Sequence, residues 1–370
     1  MTLSNGKEFK YKALVLATGF SHESSYIDGL KDFETGPETD NVWVHSINSP
    51  NYADRNFFNG YQNLCGDTIM YSPKFPYKGE GSDFYALYYE HMMRQDKILG
   101  LAAENARIQY WSPNKEIYRF PYANAIALEE CEKRGIEVNL GWEMLSVKKN
   151  EIGEKIATFK NVDTGKTIEK EFNAASVNPP SKPHEFIVKS GLADQDGLID
   201  VNRYTLQHKR YENVFAFGDA IAGDTTRTHV GAQAQNPIVK HNVLQFLHGR
   251  ECNAIYDGYT FMPFFVGMRY ASSFSHLHDF EPASTNHMVP QHGIFSRLYM
   301  GQYMRGSASG AEKYSGFKAS HGPPHWRYSA LYDPLEHNEY LSKKQIPPEE
   351  VRHPKAQARY LASNPSPAVV

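Results

Sequence analysis

A chain of 370 residues with 39 basic and 42 acidic side chains is long enough for two domains and nearly balanced in charge. That balance argues against a nucleic-acid-binding protein, which would carry a basic excess or stripe. The three cysteines, Cys65, Cys131 and Cys252, have no CxxC spacing, which argues against a metal cage or a disulfide scaffold, and no apolar run reaches the ~18 residues of a membrane-spanning helix.

The opening stretch, MTLSNGKEFKYKALVLATG, reads neither as a signal peptide nor as an amphipathic transit peptide. Targeting information is therefore expected to be absent, internal or lost ahead of Met1. Residues 11–17 (YKALVLA) predict a buried strand closed by the turn Thr18-Gly19. Thr68–Tyr71 predicts a second buried strand, residues 83–104 a helix, and Arg107–Trp111 a third strand. Pro121 opens a helix over Tyr122–Arg134, which Gly135 stops, and Ile136–Leu140 is again a strand. Strand, helix, strand, helix, strand is a βαβαβ order and implies a parallel sheet.

Residues 143–177 alternate as short antiparallel strands around two turn signals, Asn150/Gly153 and Asp163–Gly165. Asn178–Pro183 breaks regular structure and predicts a crossover between domains. The stretch Asn213-Val-Phe-Ala-Phe-Gly-Asp-Ala220 predicts a short buried strand and a Gly-Asp turn, and a helix follows over Gly231–Phe246. Residues 255–280 read as paired strands around Gly258, Pro263 and Gly267. Beyond about residue 305 the apolar period ends, and the Pro-, Gly- and charge-rich remainder reads as an extended or disordered tail.

Cys131 reads as a helix core residue, Cys252 as part of an exposed linker, and Cys65 as preceding a strand. The 16 histidines are scattered, with His321, His325, His337 and His353 in the tail, and read as surface or interface residues. No GxSxG, HExxH or P-loop is present, and no metal site is expected.

Several motifs together carry a resemblance. They are Asn5-Gly-Lys-Glu8 with Leu14-Val-Leu-Ala-Thr-Gly19, then Asp200-Val-Asn202, Thr205-Leu-Gln-His208, Tyr211-Glu-Asn-Val-Phe215 and Gly218-Asp219. Tyr256-Asp-Gly-Tyr-Thr260, Pro263 and Gly267 complete the set. In these the chain resembles the sulfide:quinone oxidoreductase family, its mitochondrial branch in particular, within the pyridine nucleotide-disulfide oxidoreductase-like flavoproteins. The resemblance implies an α/β fold of two dinucleotide-binding, Rossmann-like domains, the first truncated at its N-terminus, with a C-terminal polar extension. It divides the chain into a remnant of the FAD domain (1–60), a second dinucleotide-binding domain with an antiparallel meander (61–178), a return to the FAD domain (179–305) and the tail (306–370).

FAD is the cofactor the resemblance implies. Ala17, Thr18 and Gly19 would form a turn approached by the cofactor, Gly218 and Asp219 would meet the ribityl hydroxyls, and Arg227 would stand near the flavin pyrimidine edge. Two departures bear on the chemistry. The family's redox cysteine positions are occupied by Gly79 and Met262, so no catalytic residue is assigned; only thiol sulfur performs that exchange. No GxGxxG occurs; Gly79-Glu-Gly81 is GxG only, with Glu80 and Asp83 set to repel a phosphate. FAD binding is therefore expected to be weak or absent, and ubiquinone relevant only to an active enzyme.

The expected role is a catalytically degenerate homologue serving as a structural or accessory subunit of a mitochondrial assembly, on the matrix side of the inner membrane. Its polar tail would hold other subunits. The aromatic, Met-rich helix Ile294–Arg305 would make peripheral membrane contact. The alternative is an FAD-dependent, quinone-linked oxidoreductase whose N-terminal half is missing from the gene model or supplied by another chain.

Overall fold

Strand β4 (Asp67–Tyr71) shows why the larger sheet is parallel and covered on both faces: Thr68, Ile69, Met70 and Tyr71 are all buried. The computed structural model describes residues 1–22, 24–34, 41–44, 66–80, 105–224, 226–267, 270–281 and 353–355. The expected helix over 83–104, the helix Ile294–Arg305 and nearly all of the tail lie outside them. Before β4 come β1 (Leu14–Leu16), β2 (Phe20–His22), the short helix α1 (Leu30–Glu34) and β3 (Val42–Val44). After it come β5 (Arg107–Ser112), helix α2 (Pro121–Arg134) and β6 (Glu137–Leu140). Pro121 opens α2, and Gly135, in the left-handed region at φ 64°, closes it.

The antiparallel meander is β7 (Trp142–Lys149), β8 (Lys155–Asn161) and β9 (Thr167–Phe172). Next comes β10 (Ala174–Val177), and here the structure departs from expectation. Rather than prolonging the meander, β10 inserts between β3 and β4, giving a parallel order β3-β10-β4-β5-β6. The physical reason lies in its four small or apolar residues, all buried, which leave no solvent face for a meander strand. Val42–Val44, placed within 1–60 by the sequence division, forms an edge of this sheet.

Side chains alternate across the sheet. Met70, Ile108 and Tyr110 face α2, where Ala123, Ala127 and Cys131 meet them. Ile69, Tyr71 and Trp111 face the other way, onto Met144, Val147, Ala157 and Phe159 of the meander.

The crossover 178–183 is more regular than expected. Ser181–Pro183 forms β11, antiparallel to β2, so the outgoing and returning chain passages pair with each other. After helix α3 (Glu185–Lys189), strand β12 (Val214–Ala216) lies parallel to β1, and helix α4 (His229–Leu247) packs Val230, Ala234 and Ile238 onto Phe215 and Ala216. The hairpin of β13 (Thr260–Gly267) and β14 (Tyr270–His276) follows. No helix among the described residues is long and apolar enough to cross a membrane.

Candidate functional site

The ends of β1 and β12 bring two of the sequence-derived segments together. Leu16 pairs with Ala216, and the Phe217 amide donates to the Leu16 carbonyl at 3.1 Å. Ala17-Thr18-Gly19 and Gly218-Asp219 thus leave the carboxyl ends of adjacent parallel strands, where open α/β sheets receive ligands. Gly19 at φ 64° and Gly218 at φ 84° take left-handed backbone, which favours glycine. The Gly218 amide donates to Gln235 Oε1 at 2.7 Å, fixing the turn to α4. Thr18 Oγ1 is buried without a hydrogen-bond partner, and the Thr18 carbonyl meets His184 Nε2 at 3.2 Å. Asp219 is half-buried.

A second strand end faces this crevice. In the larger sheet β4 lies between β10 and β5, the point where the chain's path across the sheet reverses. Beyond β4 the turn Phe75–Glu80 crosses to the start of α4: the Gly79 amide donates to the Arg227 carbonyl at 2.7 Å, and the Lys78 amide to Ser181 Oγ at 2.9 Å. Glu80, 1% exposed, accepts hydrogen bonds from Arg119 Nε at 3.0 Å and Arg119 Nη2 at 2.8 and 2.7 Å. The Arg119 guanidinium lies 5.6 Å from the Phe75 ring centre and 5.1 Å from that of Phe280.

Arg227, 2% exposed, turns its Nη2 to the carbonyls of Ile221 at 2.8 Å and Gly223 at 3.4 Å. Burial pushes the Glu80 carboxyl above the usual carboxylate range; Arg119 and Arg227 pull it back down, and Asp219 pushes it up. Burial also lowers Arg227, with Glu80 and Asp219 opposing. Glu80, Arg119, Arg227 and Asp219 therefore form one electrostatic cluster. Sequence reasoning placed Asp219 and Arg227 here but missed Arg119, which carries no motif and reaches Glu80 across 39 positions.

The start of α4 is capped by Thr228, whose Oγ1 accepts from the Gly231 amide at 3.0 Å and lies 2.5 Å from Thr260 Oγ1. Thr226 Oγ1 faces Thr260 Oγ1 at 3.3 Å and His276 Nε2 at 3.4 Å. Here the reading of the histidines as surface or interface groups is corrected: His208, His276, His278 and, in the tail, His353 are all buried. His208 Nε2 meets the Leu192 carbonyl, His276 Nδ1 that of Leu277 and His278 Nε2 that of Tyr256. Backbone carbonyls, which leave no sequence signature, thus meet one ring nitrogen of each of His208, His276 and His278.

The positions that the resemblance assigns to redox cysteines fall on different elements. Gly79 sits in the turn after β4 at φ 72°, and Met262 lies on β13 in register with Phe274. Cys131 is buried on the sheet-facing side of α2, and burial pushes its thiol up to about 12. Cys252 is half-buried rather than in an exposed linker, donates to the Asn242 carbonyl at 3.4 Å, and is pushed by burial to about 12. Exchange chemistry requires a thiolate, which both environments disfavour. Cys65 lies outside the described residues. Among these no group of three His, Cys, Asp or Glu side chains could hold a metal.

No family model matches the chain. It is 29% identical over 266 residues to the mitochondrial sulfide:quinone oxidoreductase of Schizosaccharomyces pombe, which takes in 71% of this chain and 56% of that protein. To the mitochondrial sulfide:quinone oxidoreductase of Mus musculus it is 26% identical over 268 residues, 71% of this chain and 56% of the other. The chain is a relative of sulfide:quinone oxidoreductase. It spans about half the length of the curated relatives it matches. Among solved structures, a chain in the cryo-EM structure of the Tetrahymena thermophila mitochondrial ATP synthase (F1Fo composite tetramer) matches with TM-score 0.77 and 28% identity, covering 87% of this chain and 77% of that one. The sulfide:quinone oxidoreductase of Aquifex aeolicus shares the fold at TM-score 0.57 and 14% identity, covering 92% of this chain and 75% of that one. The fold is thus α/β and of the Rossmann type.

Proposed function

We propose that this sulfide:quinone oxidoreductase relative has left sulfide oxidation and serves as a structural subunit of a mitochondrial assembly of the ATP synthase kind. The observation that carries the reading is the match to a chain within the Tetrahymena thermophila ATP synthase structure, at 28% identity over 87% of this chain. Chemistry points the same way, because glycine and methionine stand at the positions assigned to redox thiols and the described cysteines are held protonated. On this reading the protein sits on the matrix side of the inner membrane, and its polar tail engages neighbouring subunits.

FAD, when bound, would supply two-electron redox chemistry. The crevice fits it in part: the orphaned Thr18 hydroxyl, the Ala17–Gly19 and Gly218 backbones and the half-buried Asp219 suit a hydroxylated chain. Arg227 and Glu80 fit it poorly, because each is turned toward protein partners. The orphaned hydroxyl favours the second reading, a quinone-linked FAD oxidoreductase of another donor specificity, its N-terminal half missing from the gene model or supplied by another chain.

Purification from the native mitochondrion under gentle detergent tests both. We expect comigration with ATP synthase, no flavin absorbance, and no sulfide-dependent ubiquinone reduction. A flavin-containing species that migrates apart from the complex and reduces ubiquinone would overturn the proposal.

A further inference from the structure

The crevice between the carboxyl ends of β4 and β12 contains two guanidinium groups supplied by distant parts of the chain. Arg119 comes from the loop before α2, braced by Phe75 and Phe280, and Arg227 from the approach to α4. A guanidinium held at the ends of parallel strands is suited to a small oxoanion, a carboxylate or a phosphate, held through fork-like hydrogen bonds. In this protein the anion comes from the chain itself. We propose that the Glu80 carboxylate is the resident occupant of an oxoanion site built on Arg119, and that by filling it Glu80 closes the crevice and joins the two sheets.

Three features support this. Arg119 grips Glu80 with three contacts of 3.0 Å or less, as it would grip a bound carboxylate. The turn that carries Glu80 is fastened across the crevice by the 2.7 Å bond from the Gly79 amide to the Arg227 carbonyl. Glu80 is also the sole carboxylate of the four-residue cluster that is fully buried, Asp219 being half-buried. Removing one partner of a buried charge pair leaves the other uncompensated, so the vacated site should seek a replacement anion. The inference stands apart from the assembly reading, because its test reads the unfolding of the isolated full chain.

Glu80→Ala would leave the Arg119 guanidinium facing an emptied volume. Its thermal midpoint should fall by roughly 5–10 °C. Formate or acetate at millimolar concentration should recover at least half of that fall, whereas chloride at equal ionic strength should not. Phosphate in a parallel series tells whether the site admits a larger oxoanion. Glu80→Gln keeps the volume and removes the charge, so it should be destabilised yet insensitive to formate. In Glu80→Ala combined with Arg119→Met the formate effect should vanish. Should Glu80→Ala fail to fold unaided, its refolding yield should rise with formate and not with chloride. A Glu80→Gln midpoint equal to wild type, equal recovery by chloride, or no recovery by any oxoanion would overturn the proposal.

Discussion

Phe159 lies stacked on Trp111, ring centres 4.2 Å apart and planes 19° from parallel. The pair joins the meander to the underside of the parallel sheet, with Trp142 edge-on to Trp111 at 6.1 Å and Tyr71 tilted against Phe159 at 6.4 Å. Both stacked residues are almost wholly buried.

Truncating that contact should be costly. Phe159→Ala removes a fully buried ring from a packed aromatic cluster and should lower stability by about 3–5 kcal/mol. Denaturant unfolding at neutral pH measures it. A loss below about 1 kcal/mol would mean that the meander hardly depends on this contact.

Acid should destabilise the protein through two histidines. Burial depresses His276 to about 4 and His278 to about 3; Arg119 reinforces the first, Arg203 the second, and hydrogen bonds to backbone carbonyls oppose both. In the unfolded chain an imidazole titrates near ~6.5. The unfolded state therefore takes up protons first as the pH drops. The stability is complete above ~6.5 and is lost progressively as pH falls through 4 toward 3. Melting curves between pH 7 and pH 4 should show this decline, flattened in the double variant His276→Gln, His278→Asn. An unchanged slope in the double variant would assign the decline elsewhere.

Two glycines separate backbone strain from crowding. Gly153 and Gly258 share φ +87°, yet a Cβ on Gly153 meets nothing within 4 Å. On Gly258 it would strike the His278 backbone nitrogen and lie 2.7 Å from the His278 Cα. Gly153→Ala should cost about 1–2 kcal/mol from left-handed backbone alone, and Gly258→Ala a further ~1–3 kcal/mol from overpacking. Equal losses would show that the 257–258 turn can yield.

The described thiols should be inert. With Cys131 and Cys252 both pushed by burial to about 12, alkylation at neutral pH should label neither in the folded protein and both after unfolding. Peptide-level mass spectrometry distinguishes them from Cys65. Fast labelling of either in the native protein would reopen the case for a redox thiol.

Much of the fold was legible because local signals agreed. The apolar run at β4, Pro121 and Gly135 around α2, and turn residues within the meander all act over a few positions. The convergence of Thr18-Gly19 with Gly218-Asp219 was legible only through the family resemblance, which assigned both turns to one cofactor, and not from the two short apolar strands themselves. What escaped depends on distant partners. Strand β10 could be placed only by knowing that β3 and β4 flank it. Arg119 shows its purpose only beside Glu80, and the buried histidines only beside the carbonyls they face.

The antiparallel pairing of Phe20–His22 with Ser181–Pro183 has an evolutionary corollary. The described residues between 24 and 180 join the rest of the molecule through a two-stranded stalk whose feet stand side by side. They also join it through the contacts that Gly79, Arg119 and Phe120 make across the crevice. Such a segment is a cassette. A short splice joining Phe20 to Pro183 would remove it at the cost of those crevice contacts, while β1 and β12 kept their register. A lineage that no longer needed redox chemistry would thus have been able to redesign the outer lobe without disturbing the strands that carry its motifs.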